Sequence, residues 1–230
     1  MRCSAVVASW LGFTPARERE LAAPFAHPYP AARQKSDERA ILEDPSIQLV
    51  VSSITPDERA PLGIRVMEHG KDFLSDKPVL TMLAQLADVR RVQGATRRIY
   101  SILYSERFEN AVTVRAGELV HSGAIGRVMQ TIGVGPHRIH PPDRPDWFWD
   151  PSRHGGIICD IGSHQFDQFL FFTGSTRGEI VASQVRNVRH PQYPAFRDLA
   201  TCCYGAMGGP ATSGSTGSHQ QLCLPGATRG

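Results

Sequence analysis

The 230-residue sequence lacks a long hydrophobic run, and no stretch approaches the roughly 18 apolar residues that a membrane span needs. Its net charge is only +3, and its basic residues are spread along the chain instead of clustered. The first residues also lack the pattern of a signal peptide. We therefore expect neither a membrane nor a nucleic acid as a partner.

Cysteine is scarce, and its positions show no pattern of paired ligands. Three of the five cysteines, Cys202, Cys203 and Cys223, fall after residue 200. Adjacent cysteines lack the spacing of zinc-ligand pairs, so we predict no metal site. Cysteines without a pairing pattern are typical of a reducing compartment, which favours a cytoplasmic location.

A strand, a helix and a second strand are predicted in succession. Residues 47–54 form an apolar, β-branched run, a helical pattern follows, and residues 72–75 form a second short strand. This order implies parallel pairing with a right-handed crossover. Ligands bind beyond the carboxyl ends of parallel strands, where Thr55, Pro56 and Lys77 fall.

The most informative motif runs from Gly155 to Asp167. It places Asp160, His164 and Asp167 at spacings of four and three residues. If the segment is helical from about Asp160, the three side chains share one face. An imidazole held by a carboxylate can move a proton near neutral pH. The alternative is structural: a helical histidine is often buried or solvated, and the helix dipole favours an aspartate near the helix N-terminus.

Three segments resemble motifs of the Gfo/Idh/MocA family, which includes glucose-fructose oxidoreductase and inositol dehydrogenase. Asp76-Lys77-Pro78 resembles the Glu-Lys-Pro motif, and residues 155–167 resemble Gly-Gly-x-x-x-Asp-x-Gly-x-His-x-x-Asp. Residues 117–128 are similar to Glu-Leu-Ile-x-x-Gly-x-Ile-Gly-x-Val. The segments occur in the family's order, and the resemblance covers residues 1–198.

The resemblance implies an α/β fold in two parts. A partial Rossmann domain with a parallel sheet is expected over residues 1–97, and an α/β domain with a largely antiparallel open sheet over residues 98–200. Family members commonly pair through that second sheet, so a homo-oligomer is expected. The implied reaction is NAD- or NADP-dependent hydride transfer at a secondary alcohol of a sugar, inositol or related polyol.

The same resemblance implies roles for individual residues. Lys77 would stabilise negative charge on the reacting hydroxyl oxygen, and His164 would act as general acid and base. Asp160 would either orient His164 or bind the substrate directly. Thr55 and Pro56, together with Lys77, would contact the cofactor near the nicotinamide ribose. For Asp167 we favour a structural hydrogen bond.

Five further residues are candidates to line a substrate cleft, and they are Arg107, His137, Arg138, Trp147 and Trp149. For the two aromatic residues, packing in the core of a loop is an equally supported interpretation.

The chain also departs from the family pattern. It has no Gly-x-Gly-x-x-Gly turn to receive a cofactor pyrophosphate, and residues 4–9 resemble the family's second strand. Ser9 and Trp10 stand where the family often has a ribose-binding acid, and Asp57 replaces a common asparagine. We therefore expect the amino-terminal βα unit to be absent and NAD(P) binding to be weak or lost.

The last thirty residues break with the rest of the composition. Residues 201–230 contain no Asp, Glu or Lys and show no strand or helix period. We predict a disordered, low-complexity tail that results from a shifted reading frame or aberrant splicing. The alternative to an active oxidoreductase is a truncated, catalytically inactive family member that retains only a binding or oligomerisation surface.

Overall fold

The computed structural model describes residues 9–11, 33–35, 37–207 and 219–224. The chain divides into two compact units. Among the described residues, the first unit contains those up to Ser52 together with Pro61–Leu74 and Ala87–Ser101. The second unit contains Ser53–Ala60, Ser75–Leu86 and the described residues from Ile102 onward. The units therefore interleave in sequence.

The elements up to residue 103 alternate between strands and helices. In chain order they are β1 (Ser9–Leu11), β2 (Arg33–Lys35), α1 (Arg39–Leu42), β3 (Leu49–Ser52), α2 (Pro56–Glu68), β4 (Asp72–Asp76), α3 (Leu83–Thr96) and β5 (Tyr100–Leu103). Strands β1 and β2 pair in parallel, and β3, β4 and β5 form a three-stranded parallel sheet in that order. The α/β fold class and the strand–helix–strand segment predicted from the sequence are confirmed.

The core of the first unit surrounds β4. Phe73 is fully buried, and its ring lies 5.2 Å from the ring of Tyr100. Gly63 on α2 permits this contact, because a β-carbon there would lie only 2.4 Å from Tyr100. Lys71 is also buried, and its ammonium donates to the carbonyls of Asp44 (2.6 Å) and Ile47 (2.8 Å). These bonds satisfy a charge that would otherwise be costly to bury.

From residue 105 the second unit contains helices and the strands of a second sheet. Its elements are α4 (Ser105–Phe108), α5 (Ala111–His121), β6 (Gln130–Val134), two 3₁₀ turns (Pro141–Asp143 and Asp146–Trp149), α6 (Pro151–His154), a π-helical turn (Ile158–Gly162), α7 (Ser163–Thr173), β7 (Arg177–Arg186), β8 (Leu199–Met207) and β9 (His219–Leu224). The sheet order is β6-β9-β8-β7, and it is antiparallel except between β6 and β9.

Helix α7 packs on this sheet through aromatic side chains. The rings of Phe169 and Tyr204 lie 4.9 Å apart edge to face, and both residues are almost fully buried. Ile161, Ala200 and Cys202 complete the cluster. The helix that begins at Ser163 is therefore fixed by the main core of its unit, and its first turn carries His164.

The predicted disordered tail is wrong for two segments. Residues 201–207 belong to β8, which pairs with β7 on one side and β9 on the other, and residues 219–224 form β9. Ala200, Cys202 and Tyr204 are buried in alternation, which is the period of a strand. A strand buried between two neighbours has no need of charged residues, so the unusual composition was misleading.

Other parts of the sequence prediction fall outside the described residues. These are most of the first predicted strand, at residues 4–8, and the remainder of the predicted tail, at residues 208–218 and 225–230. The segment from Gly135 to Gly156 contains the two 3₁₀ turns and α6. No helix among the described residues is long and apolar enough to cross a bilayer.

Candidate active site

Lys77 and Asp160 meet although 83 residues separate them. The Lys77 ammonium donates to a carboxylate oxygen of Asp160 at 2.8 Å. The two side chains are 17% and 24% exposed, so the pair is largely shielded from water. Charge-assisted bonds of this length are among the stronger polar contacts in proteins. Two of the three segments that carry the family resemblance thus share one site in the second unit.

The segments that carry this pair are tied to one another by side-chain bonds. The Gln85 amide oxygen accepts from the backbone N–H groups of Thr81 (2.8 Å) and Met82 (3.2 Å), and its amide nitrogen donates to the Asp57 carbonyl (3.1 Å). Arg153 pairs with the Asp57 carboxylate at 3.0 Å. The Asp57 side chain therefore serves as an anchor for the segment that carries Asp160.

Thr55 and Pro56 lie where the sequence predicted, directly after β3. Pro56 is the first residue of α2, a position that proline favours because no intrahelical N–H is needed there. The Thr55 carbonyl accepts from the N–H of Glu58 at 3.0 Å. Both residues stand at the carboxyl end of a parallel strand.

His164 is buried in the first turn of α7. Only 3% of the residue is exposed, and Nδ1 has no hydrogen-bond partner among the described residues. Its ring lies 6.0 Å from the ring of Tyr104 in an edge arrangement. A buried ring nitrogen without a partner is uncommon, and it retains the capacity to take up a proton or to make one hydrogen bond.

The structure pairs Asp160 with Lys77 and not with His164, which the sequence suggested as its partner. Residues 158–162 form a π-helical turn instead of the start of an α-helix. Such π turns are rare and occur frequently at functional sites. Gly155 and Gly156 precede this turn with φ of 83° and 80°, which only glycine adopts readily.

Burial controls the charge of His164. Loss of solvation lowers the pKa of the His164 imidazole, the Glu106 carboxylate opposes this shift, and the Lys77 ammonium and His137 reinforce it. The imidazole is therefore neutral near pH 7 and can accept a proton. Burial also raises the pKa of Tyr104 to about 12, so the phenol stays protonated beside it.

Asp167 binds an arginine, as the structural interpretation proposed. Its two carboxylate oxygens accept from Nε (2.5 Å) and Nη2 (2.8 Å) of Arg107. The same guanidinium lies 3.9 Å from the centre of the Phe108 ring. This bidentate pair links α4 to α7 and occupies Arg107, which the sequence also offered as a cleft residue.

A small cavity of about 60 Å³ adjoins Asp160. It is lined by His137, Arg138, His154, Asp160, Asp198 and the apolar side chains of Ile139, Phe148 and Phe196, among others. His154 is buried, and its Nδ1 accepts the N–H of Gly156 at 2.6 Å. His154 and Asp198 were not predicted, because a lone histidine or aspartate outside a periodic segment has no distinguishing pattern.

The two tryptophans fill the core of a loop. Trp149 stacks on Tyr193 with ring centres 3.7 Å apart, and Trp147 packs with it against a cluster of Ile139, Phe148 and Phe196. Of the two interpretations left open by the sequence, the structure favours loop packing for both.

Among the described residues no group of three or more potential metal ligands lies together.

Residues 113–209 match the family model described as the GFO/IDH/MocA C-terminal domain. This stretch includes Asp160 and His164, and it extends into β8. Over these residues the resemblance to the Gfo/Idh/MocA family that the sequence predicted is confirmed.

Relatives of known sequence and structure agree with this assignment. A proposed oxidoreductase from Erwinia carotovora atroseptica SCRI1043 is 38% identical with a TM-score of 0.80, over 89% of this chain and 60% of its own. Levoglucosan dehydrogenase of Pseudarthrobacter phenanthrenivorans is 27% identical over 67% of this chain and 40% of its own length. A structure of a levoglucosan dehydrogenase with NADH and levoglucosan is 18% identical, with a TM-score of 0.74 over 95% of this chain and 58% of its own, and shows likeness of fold.

The alignments leave much of the relatives unmatched. The chain spans less than half the length of the curated relatives it matches, for example 42% of an Escherichia coli K12 oxidoreductase. The activities and ligands of those longer proteins therefore bear on this chain only as proposals.

Proposed function

We propose that this chain carries the proton-handling part of an NAD(P)-dependent oxidoreductase that acts on a secondary alcohol of a sugar, inositol or related polyol. One observation carries the proposal. The partly buried Lys77–Asp160 pair lies within electrostatic range of His164, a neutral, buried imidazole with a nitrogen that has no partner among the described residues. A fixed ammonium and a neutral base are the two groups that removal of a hydroxyl proton requires.

The proposed chemistry divides between these groups. The Lys77 ammonium would donate a hydrogen bond to the substrate oxygen and stabilise the negative charge that develops there. His164 would take the hydroxyl proton as the carbon–oxygen double bond forms. The nicotinamide, when bound, would supply the acceptor for the hydride from the same carbon. Asp160 would hold Lys77 in place, and one of its oxygens could also meet a substrate hydroxyl.

The residues fit one end of the cofactor. Thr55, Pro56 and Lys77 stand at the carboxyl ends of β3 and β4, where the nicotinamide half of a dinucleotide lies in doubly wound folds. The sequence contains no Gly-x-Gly-x-x-Gly motif of the kind that cradles a pyrophosphate. The substrate class is supported by relatives named levoglucosan dehydrogenase and scyllo-inositol 2-dehydrogenase (NADP⁺).

Exposed apolar side chains on the two outer strands of the second sheet support a homo-oligomer as a further part of the proposal. Ile132 on β6 and Ile180 and Val181 on β7 are 73%, 54% and 64% exposed. Large apolar side chains left in solvent can mark a subunit interface. The solution mass of the purified chain is the test, and a strictly monomeric mass at high concentration would contradict this part.

Turnover of a polyol panel tests the central proposal. The chain would be incubated with millimolar NAD⁺ or NADP⁺ and with inositols, levoglucosan, glucose or xylose, and reduced nicotinamide would be followed by fluorescence. We expect slow turnover of at least one polyol that falls about 100-fold or more in Lys77→Met, since one electrostatic donor contributes a factor of this size. Equal rates in the wild type and the variant would contradict the proposal.

A further inference from the structure

We infer that Arg59, a buried arginine outside the recognised motifs, is a positioning residue for Lys77; the inference rests on the role proposed for Lys77. Arg59 lies in the first turns of α2 and is only 5% exposed. Its guanidinium donates from Nε to the Ile54 carbonyl at 2.6 Å. From Nη1 it donates to the carbonyls of Asp76 at 3.1 Å and Pro78 at 2.9 Å.

These partners surround Lys77 in the chain. Asp76 and Pro78 are its immediate neighbours, and a single guanidinium nitrogen holds both of their carbonyls. Nη2 also lies 3.8 Å from the Asp76 carboxylate. Ile54 directly precedes Thr55, so the same side chain joins the turn after β3 to the turn after β4. Both turns belong to one compact unit.

The chemistry of the contact calls for arginine. A planar guanidinium presents five N–H donors in fixed directions, so it can bond several carbonyls that point inward from different turns. A lysine ammonium is a single point at the end of a flexible stem and reaches fewer of them. An apolar side chain of similar length would leave buried carbonyls without donors, which is costly.

The contacts of Arg59 restrict the position of the Lys77 ammonium. Four side-chain torsions separate the lysine nitrogen from its backbone, so its position depends on a fixed main chain at both ends of the residue. Arg59 supplies that constraint, and the 2.8 Å bond to Asp160 then selects one side-chain orientation. Without Arg59 the ammonium would spend more time away from Asp160 and in solvent.

The chain is well suited to a direct test because it has only three lysines, Lys35, Lys71 and Lys77. Acetylation of the full-length chain with an N-hydroxysuccinimide ester, followed by peptide mass spectrometry, reports the accessibility of each amine without any turnover. Lys71 is an internal control, because it is buried in the other unit and bonded to two carbonyls. Asp160→Asn shows the rate for a Lys77 that has lost its partner.

We expect Arg59→Met to raise the acetylation rate of Lys77 about tenfold, the change that ~1.4 kcal/mol of lost orientation produces, with Lys71 unchanged. The matched control is Arg197→Met, since Arg197 also donates to two backbone carbonyls in the same unit, those of Pro194 and Phe196. It should leave Lys77 unchanged. If Arg59→Met fails to fold, Arg59→Lys is measured instead, with a smaller rise expected.

Two results would overturn the inference. One is an unchanged Lys77 rate in a folded Arg59 variant. The other is an equal rise at Lys71 and Lys77, which would show that Arg59 stabilises the fold in general. Acetylation measures the accessibility of the lysine amine and does not depend on turnover. A chain without turnover would therefore refute the proposed function, and the acetylation rates would still test the role of Arg59.

Discussion

Replacing Gly117 by alanine should destabilise the protein, although alanine is the better helix former. Gly117 is buried in α5, and a β-carbon there would lie 2.4 Å from two atoms of the Phe171 ring. The ring has little room to move, because His121 packs on it edge to face at 4.8 Å and its own backbone carbonyl is bonded to the His121 side chain at 2.9 Å. Phe171 lies on α7, the helix that carries His164.

The expected size follows from two opposing terms. Alanine in place of glycine within a helix contributes about 0.5–1 kcal/mol. Forcing a methyl group into a packed contact costs about 1–3 kcal/mol. We therefore expect Gly117→Ala to lower the free energy of unfolding by about 1–2 kcal/mol.

Gly94 on α3 provides the matched control. A β-carbon at Gly94 would meet nothing within 4 Å, so Gly94→Ala should raise the stability by about 0.5–1 kcal/mol. Urea unfolding followed by circular dichroism compares both variants with the wild type. If Gly117→Ala proves as stable as the wild type or more so, the close packing of α5 on α7 is refuted.

Three further predictions concern charge and the cofactor. Replacing Asp167 by asparagine removes the bidentate partner of a partly buried Arg107, so the free energy of unfolding measured in urea should fall by about 1.5–3 kcal/mol. The control Asp88→Asn removes an exposed ion pair and should change the free energy of unfolding little. Burial lowers the pKa of both His164 and His154, so the unfolded chain takes up more protons than the folded chain below the ordinary histidine value. The stability should therefore be fully present above about pH 6.5 and fall as the pH drops through the pKa values of the folded state. A urea midpoint that is constant from about pH 7.5 to 5 would contradict this. Because the sequence contains no Gly-x-Gly-x-x-Gly motif, calorimetric titration should give only weak binding of NADH and NADPH, and a dissociation constant of about 1 μM would show that another segment holds the pyrophosphate.

The local pattern of the sequence was enough to predict the first half of the site. A β-branched run, a breaking Thr55-Pro56 and a second short strand indicate a parallel unit, and they fix Thr55 and Lys77 at strand ends. The burial period of two in β8 was also present, at Ala200, Cys202 and Tyr204. It was obscured because cysteine, glycine and alanine are weak indicators of a strand compared with valine or isoleucine.

The remaining features depend on tertiary structure. Lys77 and Asp160 are 83 residues apart, and spacing rules reach only neighbours on one helix or strand. An α and a π turn share nearly the same sequence pattern, so the π turn at residues 158–162 had no local signal. The local sequence likewise did not indicate that Asp160 pairs with Lys77 instead of His164. Arg59 resembles any charged residue of a solvated helix face, and only the carbonyls it gathers reveal its role.

The most direct test of the proposed site is the pH dependence of polyol oxidation in the wild type and in His164→Asn. If the neutral His164 imidazole takes the hydroxyl proton, kcat/KM of the wild type should fall only at acid pH, below the ordinary histidine value of about 6.5, because burial lowers the pKa of this residue. The variant should be slower by about 10²–10⁴ and should lose that acid limb. A variant that keeps both the rate and the acid limb of the wild type would show that another group takes the proton, and the assignment of the site would be wrong.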